Sequence, residues 1–212
     1  MSLKSFDQLL TRSEARRISK LTSPRKIQDF LDCLAYSSEN IYRCPLRVLR
    51  DGVAHCFDGA IFAALALRRL GYLPLVLEME PSERDDEHLL ALYRSNSHWG
   101  AVAKSNFVGL RFREPIHRTL RELVLSYFED FYNVAGEKTL RGYRRPLDLR
   151  VFDRLNWMIH DEALDLIARR LDEYPRFSIL APRMTKNLSK VDKRFYQAGL
   201  MGAKKSGLFK IS

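Results

Sequence analysis

The run AHCFDGAIFAALALRRLGY (residues 54–72) constrains the fold more than any other part of this chain. From Phe57 to Leu70 it is rich in alanine and leucine, both strong helix formers, and Gly71 is a good C-terminal stop. An ordinary surface helix keeps one polar face. Here apolar residues cover most of the circumference, so the helix is predicted to be central and buried. The remaining sequence must then wrap it in layers. At 212 residues, with 46% hydrophobic and 29% charged residues, the chain has the length and apolar content to do so.

The opening residues read as an amphipathic helix ending near Lys20, with Leu3, Phe6, Leu9 and Leu10 at helical spacing. Ser23-Pro24 supplies an N-cap and a proline at the first helical position, starting a second helix that contains Cys33 as a packing residue. Residues 37–52 read as a connection. After the central helix, LPLVLEM (73–79) is a short apolar strand, and PSERDDE (81–87) is a charged loop. HLLALYR (88–94) and HWGAVAK (98–104) form a hairpin around a three-residue connection at 95–97, and FVGLRFR (107–113) is a further strand. Helices are expected over 119–132 and from Asp161 to about Glu173. Helices, then strands, then helices make an α+β layout, with a single domain over 1–182 and a basic segment over 183–212.

No apolar run reaches the 18 residues needed to span a membrane, and the N-terminus lacks a signal-peptide pattern, so the expectation is an intracellular, cytoplasmic protein. Cys33, Cys44 and Cys56 include no CxxC pair, which argues against a disulfide framework or zinc ribbon; a zinc site from Cys44, Cys56, His88 and His98 has irregular spacing. Neither metal nor organic cofactor is expected. Of the net charge of +10, the stretch after Pro182 carries +7. Such a segment could neutralise nucleic-acid phosphates, but no recognised nucleic-acid motif accompanies it, and a solvated end is the simpler reading.

Cys56 falls at the start of the buried helix. There, unpaired N–H groups and the helix dipole stabilise a thiolate and could hold an oxyanion. A nucleophile so placed needs a base and a group to orient it. His88 begins the first hairpin strand. The three-residue connection makes it face Lys104, with Asn106 two places along, whereas a one-residue slip would bring Ser105 opposite. Asn106 is the first choice as orienter, because its amide oxygen accepts an imidazole proton without adding charge. Ser105 is second, and Lys104 would repel an imidazolium. His98 lies near the turn, and His55 either shapes the oxyanion region or ends the loop.

Cysteine on a buried helix, a glycine closing it, an apolar strand and then histidine on a hairpin strand resembles the transglutaminase-like superfamily, which shares its general scaffold with papain-like cysteine enzymes. The residues that carry the resemblance are HCFDGAIFAALALRRLGYLPLVLEM and DDEHLLALYRSNSHWGAVAKSN, within a core of about 45–113. It implies a central Cys-bearing helix on a small antiparallel sheet, with added N- and C-terminal helices. It also implies acyl transfer or amide hydrolysis through a thioester. The superfamily's aspartate would fall near Ala103 or Lys104, where this chain has no acid; papain-like enzymes use asparagine in that role. The site expected is thus Cys56, His88 and Asn106, acting on a protein, peptide or amide substrate. The wider sequence also resembles bacterial transglutaminase-like proteins, and the alternative is a non-catalytic binding module that keeps the scaffold, with a basic surface for nucleic acid or an acidic partner.

Overall fold

The computed structural model describes residues 3–210. Its α+β class agrees with the sequence reading. The opening helix is two, α1 (Leu3–Asp7) and α2 (Arg12–Ser19). Thr11 and Glu14 form a reciprocal capping box, the Glu14 carboxylate accepting from the Thr11 N–H at 2.7 Å, and a box of this kind starts a new helix. Ser23 caps α3 (Pro24–Cys33) as expected, although Cys33 at its end is exposed rather than packed. Within the supposed connection lies α4 (Pro45–Asp51), which opens on proline and closes on Gly52 at φ 67°. Seven residues are too few to show a helical period in sequence.

The central helix, α5 (Cys56–Arg69), is buried continuously from Phe57 to Leu67. A two-stranded parallel pair, β1 (Ala35–Tyr36) and β2 (Val53–Ala54), leads into it. The main sheet contains β3 (Leu75–Pro81), β4 (His88–Ser95), β5 (His98–Val102), β6 (Arg113–His117), β7 (Leu140–Arg144), β8 (Leu147–Asp148) and β9 (Arg176–Ser178). Its order is β6-β5-β4-β3-β7-β9, with β8 also on β3, and its pairings are antiparallel. The expected strand over 107–113 is instead a short 3-10 turn at Val108–Leu110 followed by β6. The helix expected over 119–132 shortens to α6 (Leu120–Leu125). Then come α7 (Glu162–Asp172), α8 (Pro182–Thr185) and α9 (Lys193–Gly199).

Both faces of the sheet are covered. Leu89, Ala91 and Tyr93 of β4 pack with α5, whereas Leu90 and Leu92 pack with Leu123, Val124, Tyr127 and Phe131 on the other side. Two buried faces explain why HLLALY is continuously apolar instead of alternating. No described helix is long and apolar enough to cross a membrane.

The hairpin turn has two residues, not three. Asn96 and Ser97 take φ of 48° and 64°, the paired left-handed conformations of a type I′ turn, and Ser95 therefore pairs with His98. Every partner shifts by one relative to the sequence reading, down to Ala91 opposite Val102, where the ladder stops. It stops because other groups claim the next backbone. The Gln28 amide donates to Ala103 O at 3.0 Å and accepts from Ala103 N at 3.1 Å. Lys104 then turns inward and its Nζ donates to Leu31 O and Leu34 O, at 2.8 and 2.6 Å, capping the end of α3. Gly59 lets this segment approach α5: a Cβ there would lie 2.2 Å from the Lys104 Cβ.

Candidate active site

Cys56 opens α5 because the residues around it form a helix start. His55 is the N-cap; its Nδ1 accepts from the N–H groups of Phe57 at 3.2 Å and Asp58 at 3.5 Å. The other ring nitrogen reaches Ile41 O at 3.0 Å. With Nδ1 accepting and Nε2 donating, both ring nitrogens are satisfied. Asp58, fully buried, accepts from the Arg43 N–H at 2.8 Å and the His55 N–H at 3.3 Å. The Arg43 guanidinium, itself buried, lies 3.6 Å from the same carboxylate. His55 therefore ends the loop and fixes the helix start, and the donors it binds are not free for an oxyanion. The Cys56 N–H is turned toward the Tyr36 phenol oxygen, and burial holds that phenol strongly protonated.

The half-buried Cys56 thiol is not activated in this arrangement. Its Sγ lies 3.8 Å from Glu87 O. Burial pushes its pKa up to about 12; the Asp86 charge adds to this, and the hydrogen bond from Phe57 N–H opposes it. The expected lowering by the helix start does not materialise. A helix terminus contributes about 0.3–1 kcal/mol at an exposed site, and desolvation beside carboxylates outweighs it.

His88 sits at the start of β4, opposite Met79 of β3. It shares the face of Leu90 and Leu92, away from α5, and its ring is 6.5 Å from that of Phe131. Its Nε2 donates to Leu110 O at 2.7 Å. Burial pulls its pKa down to about 4, so the neighbouring Asp85 and Asp86 do not raise it. Asp85 is engaged with the Thr139 hydroxyl at 2.5 Å.

At the end of the sheet, Cys56 and His88 line one small cavity of about 60 Å³, together with Ser105, Asn106, Leu110 and Phe131. Among the described residues no hydrogen bond joins the thiol to the ring. Asn106 is directed elsewhere: its Oδ1 accepts from Lys204 N at 2.8 Å and its Nδ2 donates to Lys204 O at 2.9 Å. The Ser105 hydroxyl accepts from Phe107 N at 3.0 Å. Lys104 caps α3, as described above. The carbonyl of Leu110, from the 3-10 turn, is the group that holds His88, and no side-chain reading of the sequence could have found it.

A larger cleft of about 480 Å³ adjoins Cys56, lined by Tyr36, Tyr42, His55 and Phe57 and by the acids Glu39, Glu78, Asp86, Glu87 and Asp172. Burial raises Glu78 to about 7 although Arg144 donates to it at 3.0 Å. The run that holds Asp86 and Glu87 reads in sequence as acids able to bind a cation or basic substrate, or as a solvated loop; Tyr36, Glu39, Glu78 and Asp172 were missed because they come from separate segments. His98 sits at the hairpin turn, its Nδ1 2.7 Å from Asn96 O, and Cys44 starts α4, its N–H 2.8 Å from Asp161. Among the described residues no group of metal ligands gathers.

No family model matches the chain, and no curated protein matches it. Among solved structures, Legionella pneumophila LapG is similar at 15% identity and a TM-score of 0.35, covering 48% of this chain and 68% of that one. The calcium-bound form of LapG gives 14% identity and a TM-score of 0.36 over 48% and 69%. A likeness this distant transfers no activity, so the chemistry rests on the chain's own residues.

Proposed function

We propose that this chain is a transglutaminase-like cysteine acyl-transfer enzyme that cleaves or exchanges an amide, peptide or isopeptide bond. Cys56 attacks the carbonyl, and His88 takes the thiol proton and returns it to the leaving amine. One observation carries the reading: a thiol at the start of a buried helix and a histidine with an uncommitted nitrogen line the same cavity. With Nε2–H given to Leu110 O, the neutral ring keeps its Nδ1 lone pair for proton abstraction. The pair rests uncharged, so proton transfer accompanies attack instead of preceding it. The Tyr36 hydroxyl, which lines the cleft beside Cys56, donates to the oxyanion that would form, and the Cys56 N–H joins it once it leaves the phenol oxygen. Leu110 O orients His88 in the resting arrangement, and Asn106 becomes available to the cavity once Lys204 releases its amide.

Acetyl transfer from p-nitrophenyl acetate, read by peptide mass spectrometry, tests this. The ester's acetyl group moves to Sγ, p-nitrophenolate leaves, and the thiol proton goes to His88. Acetylation at Cys56 should fall about a hundredfold in His88→Ala, the usual scale of general-base catalysis. An unchanged rate in His88→Ala would overturn the reading. The second reading, a binding module without chemistry, draws on the uncharged resting pair; it requires that unchanged rate.

A further inference from the structure

Part of this chain's C-terminal segment closes one side of the cleft. Ser206, Gly207, Leu208 and Phe209 line the large cleft, and the last three also line the small cavity shared by Cys56 and His88. They are held as a peptide ligand would be. Asn106 binds both main-chain groups of Lys204, a sequence-independent clamp on backbone. The Lys204 Nζ donates to Tyr36 O at 3.2 Å. Gly207 fits against the Tyr36 ring so closely that a Cβ would lie 2.7 Å from it. The opposite walls carry five acids and neither lysine nor arginine, on a chain with a net charge of +10. Glu39 and Glu78 are paired with Arg43 and Arg144, which leaves Asp86, Glu87 and Asp172 to face the positive charge that Lys204, Lys205 and Lys210 give the segment.

We propose that the cleft is a binding site for basic peptides and that Lys204–Phe209 occupies it as an internal pseudosubstrate, covering Cys56. The ligand class follows from what the segment presents: a backbone clamped at a lysine, a glycine three residues later where no side chain fits, then two apolar side chains. This deepens the acyl-transfer reading by naming its substrate class and a brake on the same site.

The test uses the full chain, Gly207→Val, and a fluorescein-labelled peptide spanning Met201–Lys210. The valine cannot seat against Tyr36, so the variant should bind the peptide at least tenfold more tightly than the wild type. Its Cys56 should react with iodoacetamide at least tenfold faster, and added peptide should slow that reaction again. Equal binding, or equal labelling, in the two proteins overturns the proposal. The wild type gives an independent reading free of any folding defect: excess peptide should speed hydrogen exchange at the Lys204 amide at least tenfold, and no change overturns it. A peptide with its lysines replaced by glutamate should fail in both assays, and equal binding of it sinks the basic preference. These outcomes are separate from the His88 dependence of acetylation, so either idea can fail while the other stands.

Discussion

The two walls of the cleft are held in opposite ways. On the Cys56 wall, side chains grip backbone: the buried Asp58 holds the amides of Arg43 and His55, and the half-buried His55 holds those of Phe57 and Asp58. On the His88 wall, backbone dominates, through the β3–β4 ladder and the Leu110 carbonyl, with Gln28 and Lys104 sealing the strand exit. A wall that hangs on a few buried polar side chains is vulnerable at single positions, because each leaves unpaired charge or donors when removed. A wall made of ladder bonds spreads its stability over many residues. The helix start should therefore be the brittle half and the hairpin the tolerant one.

Asp58→Ala should produce the largest loss, about 3–5 kcal/mol, because it orphans two amides and takes the buried one of three carboxylates from Arg43, which keeps Glu39 and Asp51. Urea unfolding reads this, and a loss under about 1 kcal/mol would remove the asymmetry. His88→Gln sharpens the other wall through pH. The folded pKa of His88 is lowered to about 4, so the stability tied to its neutral form is present above its unfolded pKa of about 6.5 and lost as pH falls through 4. Between pH 7 and 4 the wild type should lose about 3 kcal/mol that the glutamine variant keeps, the shared carboxylates cancelling in the comparison. Lys104→Met should cost about 1–3 kcal/mol by leaving Leu34 O without its donor, Leu31 O keeping the Leu34 N–H, less than Asp58→Ala since the ladder persists. A cost equal to that of Asp58→Ala would show the hairpin wall to be no more tolerant. Smallest of all, Ser97→Gly should stabilise by about 0.5–1 kcal/mol, measured as a rise in the urea midpoint, since glycine takes positive φ without strain but gains freedom when unfolded.

The same contrast governs how much could be read from the sequence. The buried helix, its start at Cys56 and the hairpin around Asn96 are carried by residue type and spacing, and each was legible. The register was not, because whether a turn has two or three residues depends on backbone conformation at Asn96 and Ser97, and neither is glycine. A one-residue change moved the expected partner of His88 and detached Asn106 from it. Helices as short as α4 carry too little period to register. The acidic walls and the Lys204 clamp join positions as far apart as 106 and 204, which no local pattern connects.

Gln28 and Lys104 also set the mechanics of the molecule. Four hydrogen bonds tie α3 to the two residues that leave β5. Helix and strand exit must therefore travel as a single lever arm, and the hairpin cannot swing away from α3 without breaking them all. Any breathing that widens the gap above Cys56 has its hinge elsewhere, in the turn that carries Leu110 or in the crossing at Lys204. A rigid floor with a detachable roof is the arrangement that results.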